Sequence, residues 1–444
     1  MTLADLSTFM RENGIVGAGG AGFPSYAKLN KKADTIILNC AECEPLLRLH
    51  RQLLAQKTFE IMTALREVAQ AVEAERVIIA VKGSYTSTIE AVKAHLDSFP
   101  MIELGILQDV YPAGDEVIAI YGTTGRVVPP GKLPIEVGVI VYNVETMYNL
   151  YCAMTNKTPV THKYVTVGGA IENPATFLVP IGMSFKDVVK LAGKPTVEDY
   201  AYISGGPMTG RLATDNDIVT KTTNAILVLP KNHYVIMKRM TPVSMSMKRA
   251  MSSCCQCQMC TDLCPRHLIG YPIQPHLFMR SATSGITKDL EPYFNTAFCS
   301  QCGVCEMFAC MQGLNPRTLI GEFKKGMGKN GVKLAKDVEA GEVHPDRDYR
   351  RISMSRLRAK LGLEQYNHKA PISDDVIVPR RVKIMMSQHI GVPAAPFVKT
   401  GDKVEAGQVI GKIEDGKLGV NVHSSVKGKV LDVNDKFVLI EAEA

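Results

Sequence analysis

Nine of the twelve cysteines fall between residues 254 and 310, and eight of these have spacings that constrain the fold more than any other feature of the chain. The first set follows the pattern CxxCxxCxxxCP, and the second follows CxxCxxC with a fourth cysteine five positions later. The sets are Cys254, Cys257, Cys260 and Cys264, and then Cys299, Cys302, Cys305 and Cys310. Three closely spaced thiolates can bind three corners of one metal cluster while the fourth cysteine reaches a neighbouring cluster. The spacing therefore predicts a segment built around two clusters.

The CxxCxxCxxxCP spacing is typical of [4Fe-4S] clusters, and the predicted ligands cross over between the sets. One cluster takes Cys254, Cys257, Cys260 and Cys310, and the other takes Cys299, Cys302, Cys305 and Cys264. A zinc site is the less favoured alternative, because a third cysteine at this spacing has no tetrahedral role. Disulfides are also less favoured, because nothing at the N-terminus resembles a secretory signal. Two one-electron centres in one chain indicate electron transfer.

The composition limits the remaining possibilities. A chain of 444 residues is too long for one hydrophobic core, which predicts several domains. No apolar run approaches the roughly 20 residues that span a bilayer, so we expect a cytoplasmic protein with no membrane span. The net charge of +7 comes partly from residues 317–360. No nucleic-acid-binding motif accompanies it, so the basic segment is interpreted as a solvated linker or as a surface for an acidic partner.

The N-terminal third predicts an α/β domain with a glycine-rich loop. Residues 14–24 contain five glycines, which allow a close approach of the backbone to a ligand phosphate. An apolar strand at residues 35–38 is followed by the acidic turn NCAECEP, and further strands alternate with helices. Carboxylates at the C-terminal end of a strand commonly face a ligand.

Four segments in this region carry a specific resemblance. GIVGAGGAGFPSYAKL, NCAECEP, YPAGDE and VYNVETMYNL resemble, in order, segments of the flavoprotein subunit of complex I and of the C subunit of Rnf complexes. The resemblance implies that NADH stacks on FMN, with Phe23 and Glu44 contacting NADH. The residues implied to bind FMN are Gly17, Gly19, Gly20, Lys28, Asn39, Glu42, Gly114, Asp115, Glu116, Asn143 and Thr146.

This region also departs from the family pattern. Ala41 and Cys43 stand where complex I subunits carry aspartate and serine, and Asp115 stands in place of a glutamate. Tyr142 replaces an asparagine beside Asn143.

Two further modules are predicted downstream. VTVGGAIENPATFLVPIG and ISGGPMTG resemble the β-grasp (soluble-ligand-binding) domain of the same family, and the strand-rich C-terminus resembles the barrel-sandwich hybrid of Rnf C subunits. The predicted fold is multidomain α/β and α+β, with a Rossmann-like FMN domain, a β-grasp domain, a ferredoxin-like two-cluster helical domain and a C-terminal barrel-sandwich hybrid. The predicted bounds are 1–155 for the FMN/NADH domain, 160–232 for the β-grasp domain, 245–325 for the two-cluster domain, 326–375 for a basic helical linker and 376–444 for the barrel.

The order of these modules resembles the cobalamin reductases of propanediol-utilisation bacterial microcompartments, in which the barrel follows the clusters. The resemblance implies that NADH reduces FMN, that the clusters carry single electrons, and that cobalamin accepts them. It further implies a corrinoid adenosyltransferase and shell proteins as partners inside a microcompartment. Two alternatives stay open: a soluble Rnf-like NADH oxidoreductase that reduces ferredoxin or flavodoxin or a membrane partner, and a flavin-less redox conduit or scaffold.

Overall fold

The computed structural model describes residues 1–286, 288–332 and 337–443. The predicted two-cluster domain, linker and barrel include residue 287, residues 333–336 and residue 444, respectively, and these residues lie outside the described part. Within the described residues, no helix has both the length and the apolar character needed to cross a membrane.

The N-terminal domain is built on a parallel four-stranded sheet in the order β3-β2-β1-β5. Its strands are β1 Thr35–Asn39, β2 Arg76–Lys82, β3 Ile102–Leu107 and β5 Val139–Asn143, with β4 Val110–Tyr111 outside the sheet. Its helices are α1 Leu3–Glu12, α2 Leu49–Gln56, α3 Thr58–Val72, α4 Thr86–Lys93, α5 Glu116–Thr124 and α6 Val144–Asn156. The central strands are buried along almost their whole length, which explains their continuous runs of apolar residues.

The strand order places a ligand crevice at the carboxyl edge of β1 and β5. The chain moves outward from β1 to β2 and β3, and it later returns to the other side of β1 as β5. A reversal of this kind leaves a crevice at the carboxyl ends of the two strands, where open α/β sheets bind ligands. Asn39 and Asn143, the last residues of β1 and β5, are partners in register at this edge.

The second domain contains a five-stranded mixed sheet with one helix. Its order is β7-β6-β10-β8-β9, and β10 is parallel to β6. The elements are β6 His162–Gly169, β7 Ala175–Pro180, α7 Phe185–Leu191, β8 Tyr200–Ser204, β9 Arg211–Ala213 and β10 Ala225–Pro230. The loop between β8 and β9 turns back towards the first domain, where it meets Glu44.

Short helices surround the cysteines. They are α8 Tyr234–Met240, α9 Val243–Ser253, α10 Met259–Asp262, α11 Pro275–Ser284, α12 Glu291–Phe294 and α13 Pro316–Lys329, together with a π-helical turn at Cys305–Ala309. After them, β11 Ile352–Ser353 pairs with β4 and leads into α14 Met354–Leu361. The segment after the cysteines therefore returns to the first domain.

The C-terminal barrel consists of a four-stranded and a three-stranded sheet. Its strands are β12 Arg381–Met385, β13 Ala395–Pro396, β14 Lys403–Val404, β15 Val409–Lys412, β16 Val422–His423, β17 Gly428–Asn434 and β18 Phe437–Ala442. The barrel contacts α1, because the Asn421 amide donates to the Arg11 carbonyl at 3.1 Å and the Arg11 guanidinium pairs with Asp415 at 2.9 Å.

Two hydrophobic cores fix the cysteine segment against the N-terminal domain. In one, Leu46 of the first domain packs in the same cluster as Met208 of the second domain and Val304 beside the cysteines. In the other, Cys264 and Tyr271 belong to the same cluster as residues of the parallel sheet. Because these cores cross domain limits, the crevice and the cysteines have a defined relative position.

Candidate functional site

The glycine-rich loop is closed by its own backbone and held by α6. The Gly17 amide donates to the Phe23 carbonyl at 2.9 Å, and the Ala18 amide donates to the Thr146 hydroxyl at 3.0 Å. At Gly19, an added Cβ would lie 2.4 Å from the Asn143 amide nitrogen, whereas the space at Gly20 is open. A side chain at Gly19 would therefore clash with Asn143, and the open space at Gly20 leaves room for a bound group.

The crevice opens into a cavity of about 220 Å³, which we call the central cavity. Seven of the residues predicted to bind FMN or NADH line it: Gly19, Asn39, Glu42, Glu44, Gly114, Asp115 and Asn143. Asn39 donates to the Gly114 carbonyl at 2.8 Å, which joins the end of β1 to the acidic turn before α5. The chain thus brings together three sequence segments that are far apart in the chain.

Three other predicted residues lie in a second cavity of about 210 Å³, the side cavity. They are Phe23, Lys28 and Glu116. The Lys28 ammonium donates to the Glu116 carboxylate at 3.0 Å and to the Val141 carbonyl at 2.9 Å. The three remaining predicted residues, Gly17, Gly20 and Thr146, belong to the loop or hold it and do not line either cavity.

Two carboxylates of the central cavity are already engaged by protein donors. Glu44 accepts hydrogen bonds from the Met208 amide at 2.7 Å, from the Thr209 amide at 2.8 Å and from the Thr209 hydroxyl. Asp115 caps α5 through the Val117 and Ile118 amides. Both carboxylates therefore stabilise the wall of the central cavity: Glu44 binds the loop between β8 and β9, and Asp115 caps α5.

Glu42 lies beside a buried histidine that the sequence patterns did not single out. The Glu42 carboxylate lies 3.8 Å from His50 Nδ1 and 3.5 Å from Arg51 Nε. His50 Nε2 is 3.2 Å from the Asn143 side-chain nitrogen. Burial lowers the pKa of His50, although the Glu42 carboxylate opposes this effect. We therefore assign a neutral imidazole to the floor of the central cavity at pH 7.

The eight predicted cluster ligands separate into two groups of four around two small cavities. The inner cysteine cavity is lined by Cys264, Cys299, Cys302 and Cys305. The outer cysteine cavity is lined by Cys254, Cys257, Cys260 and Cys310, with Cys255 beside them. In both cases three cysteines come from one set and the fourth comes from the other, which is the crossed grouping that the spacing predicts.

Burial changes the acidity of these thiols. It raises the pKa of Cys264, Cys302 and Cys260 to about 12, and like-charged neighbouring cysteines add to the effect. Cysteine binds metal as the deprotonated thiolate, and burial disfavours this charged form unless a positive charge lies nearby. The iron ions of a cluster would supply that positive charge, so the two groups of cysteines fit iron–sulfur clusters. Across the described ranges, no three His, Cys, Asp or Glu side chains converge on a single-ion site.

The central cavity and the inner cysteine cavity share a wall. Cys302 and Ser300 line the central cavity, and the Tyr111 hydroxyl donates to the Cys302 carbonyl at 2.5 Å. Arg266 also lines the inner cysteine cavity, and its guanidinium donates two hydrogen bonds to Asp115 at 2.8 and 2.9 Å. Burial alone would lower the pKa of Arg266, but the Asp115 carboxylate raises it. A largely buried ion pair therefore connects the walls of the two cavities.

Sequence reasoning missed several residues of this site, namely His50, Tyr111, Asn224, Arg266 and Ser300. Three of them lie in or beside patterns that the sequence shows: Tyr111 begins the YPAGDE segment, Arg266 directly follows the CP dipeptide of the first cysteine set, and Ser300 follows Cys299. His50 and Asn224 lie outside these patterns and reach the central cavity through tertiary contacts.

Comparisons with known proteins agree with this architecture. Four family models match successive regions of the chain. They are the Nuo51 FMN-binding domain at residues 10–152, the SLBB domain at residues 164–212, the 4Fe-4S dicluster domain at residues 253–315 and the RnfC barrel sandwich hybrid domain at residues 360–443. The predicted fold class is thereby confirmed. The order in the chain, with the barrel last, is also the predicted one.

Three curated relatives are similar to the chain. The cobalamin reductase PduS of Citrobacter freundii is 40% identical over 446 residues, which cover 99% of this chain and 97% of the relative. The cobalamin reductase PduS of Salmonella typhimurium is 39% identical and covers 97% of this chain and 95% of the relative. The C subunit of the Na(+)-translocating ferredoxin:NAD(+) oxidoreductase complex of Acetobacterium woodii is 37% identical over 57% of this chain and 56% of the relative.

The fold and the site together define an oxidoreductase that joins an FMN-binding domain to an iron–sulfur domain. Since similarity extends over nearly the whole length of the chain and of its relatives, the chain belongs to the cobalamin reductase PduS family.

Proposed function

We propose that this chain transfers electrons from NADH through FMN and two [4Fe-4S] clusters to cobalamin, reducing cob(III)alamin to cob(II)alamin and towards cob(I)alamin. The observation that carries the proposal is the shared wall between the central cavity and the inner cysteine cavity, formed by Cys302 and Ser300. When bound, FMN accepts two electrons together and releases them singly, and iron–sulfur clusters carry single electrons.

The residues of the first domain would hold the flavin and the nucleotide. The open space at Gly20 and the close contact of Gly19 with Asn143 suit a loop that receives a phosphate. Asn39, Glu42 and Asn143 provide polar groups at the carboxyl edge of the sheet. From the side cavity, Phe23 would contact NADH and Lys28 would contact FMN, and Glu44 would contact NADH from the central cavity.

The eight cysteines would hold the clusters in the crossed grouping. Cys264, Cys299, Cys302 and Cys305 form the site nearer the central cavity, and Cys254, Cys257, Cys260 and Cys310 form the site nearer the solvent. The chain's part is to bind the cofactors, fix their separation and limit access of water to the inner site.

The proposed acceptor and setting follow from the family. The two full-length relatives are named cobalamin reductases, and this name supports cobalamin as the acceptor. The reduced corrinoid would then pass to a corrinoid adenosyltransferase, so that adenosylcobalamin is regenerated in the cytoplasm inside a bacterial microcompartment with its shell proteins.

The test is anaerobic reduction of the reconstituted protein. We expect iron and sulfide for two clusters and one flavin per chain, bleaching of flavin and cluster absorbance on addition of NADH, and oxidation of the reduced protein by cob(III)alamin. Ferredoxin and flavodoxin serve as comparison acceptors. Protein that binds no FMN, or that is reduced by NADH but reoxidised only by ferredoxin, would contradict the proposal.

A further inference from the structure

The ion pair between Arg266 and Asp115 lies between two cavities that belong to different domains. Arg266 follows Pro265 in the first cysteine set, and Asp115 lies in the acidic turn of the N-terminal domain. The guanidinium donates to both carboxylate oxygens, and the side chains are only 14% and 13% exposed. Both hydrogen bonds come from the same guanidinium nitrogen, Nη2. In a largely buried ion pair of this kind, removal of one partner leaves the other charge uncompensated.

Both partners are held in place by further contacts. The Arg266 guanidinium lies 5.2 Å from the centre of the Tyr271 ring, and the Tyr271 hydroxyl donates to the Val128 carbonyl at 2.7 Å. Asp115 accepts from the Val117 and Ile118 amides at the start of α5. The arginine therefore has little freedom to leave the wall.

Arg266 also retains an unused donor. Its buried Nε–H has no hydrogen-bond partner among the described residues. Arg266 lines the inner cysteine cavity with Cys264, Cys299 and Cys302, and Asp115 lines the central cavity on the other side. Hydrogen bonds to cluster sulfurs and nearby charge are two of the factors that set iron–sulfur reduction potentials.

We infer that the positive charge of Arg266 raises the reduction potential of the cluster held by the inner cysteines, and that the negative charge of Asp115 opposes this effect. This inference rests on the proposed function, since it requires a cluster at the inner site. Reduction adds negative charge to a cluster that already carries four thiolates, so a fixed positive charge nearby favours the reduced form. The Asp115 carboxylate would then act on the cluster through Arg266.

The two partners predict shifts of opposite sign. Arg266→Gln leaves Asp115 uncompensated, so we expect reduction of the inner cluster to become about tenfold less favourable at a fixed potential, which is about 59 mV lower for a one-electron couple. Asp115→Asn leaves Arg266 uncompensated and should raise the midpoint potential by a similar amount, while asparagine still caps α5. The double variant should lie near the wild type. The measurement is an EPR-monitored redox titration of the anaerobically reconstituted protein.

The matched control is Arg126→Gln, which removes a 2.7 Å ion pair with Asp34. Both residues belong to the N-terminal domain, as Asp115 does, and neither lines a cysteine cavity. This variant should leave the potential unchanged. Shifts of the same sign in the two single variants, or no shift in either, would overturn the inference. If Arg266→Gln loses iron, Asp115→Asn decides alone. Wild-type protein without two clusters would instead contradict the proposed function, so the two failures are distinguishable.

Discussion

The two cysteine sites have nearly the same sequence pattern but different surroundings. In the outer site Cys257 is exposed and no cysteine is fully buried, and Cys255 beside it is exposed as well. In the inner site Cys264 and Cys305 are buried at 9% and 7% exposure, and Cys302 reaches the central cavity. Spacing therefore determines which cysteines group together, whereas packing against the N-terminal domain determines which site is internal.

Loss of a ligand should have unequal consequences in the two sites. Cys305→Ala removes a buried thiol at the domain junction, and we expect Tm to fall by about 5 °C or more because metal-binding free energy contributes to folding free energy. Cys257→Ala should lower Tm by less than half as much. Thermal unfolding of the reconstituted proteins at one scan rate measures both. Equal decreases would contradict the distinction between inner and outer sites.

Access of reagents should also differ. During anaerobic treatment with an iron chelator and iodoacetamide, Cys257 should be alkylated roughly tenfold faster than Cys305, because reactivity of a thiol depends on exposure. Peptide mass spectrometry over time gives both rates in one sample. Alkylation of the two positions at the same rate would show that the inner site is open to solvent.

Tyr111 connects the wall of the central cavity with the inner site. Tyr111→Phe leaves the Cys302 carbonyl without its donor, so the free energy of unfolding should fall by about 1–3 kcal/mol. Tyr293→Phe is the matched control, because its hydroxyl donates to the Ile286 carbonyl in an exposed position. Chemical denaturation should show a clear loss only for Tyr111→Phe. A similar loss of unfolding free energy in both variants would mean that the hydrogen bond from Tyr111 to the Cys302 carbonyl stabilises the protein no more than the exposed one from Tyr293.

The smallest expected effect concerns Glu44. Glu44→Gln weakens the hydrogen bonds to the loop at Met208, and this loop packs against Gly303 beside the inner cysteines. We expect a decrease of about 1 kcal/mol in the free energy of unfolding. Glu103→Gln, which removes an exposed pair with Arg76, should change it by about 0.5 kcal/mol or less. Faster chelator release of iron from the inner site in Glu44→Gln, with the outer site unchanged, would sharpen the comparison.

The sequence predicted the fold class because each module carries local signals. The cysteine spacing and the apolar runs of the strands are local patterns, formed by residues close together in the chain. The structure contains both the buried strands and the two groups of four cysteines that these patterns predict. The predicted flavin and nucleotide residues stay a prediction. The structure places seven of them at the central cavity and three at the side cavity, and the other three line neither cavity.

Long-range packing accounts for what could not be predicted. Arg266 meets Asp115 across 151 positions, and Tyr111 meets Cys302 across 191 positions. His50 reaches the central cavity only because α2 packs beside the end of β5. A pattern of residue types contains no information on such contacts, so the wall between the two cavities became visible only with the fold.

The crossed grouping of the cysteines is the central claim, and iron content in double variants tests it most directly. If Cys264 serves the same cluster as Cys305, the pair Cys264→Ala and Cys305→Ala should retain one cluster, or about four iron atoms per chain. The pair Cys264→Ala and Cys257→Ala should then retain almost no iron. The opposite result, with iron retained in the second pair and lost in the first, would contradict the account.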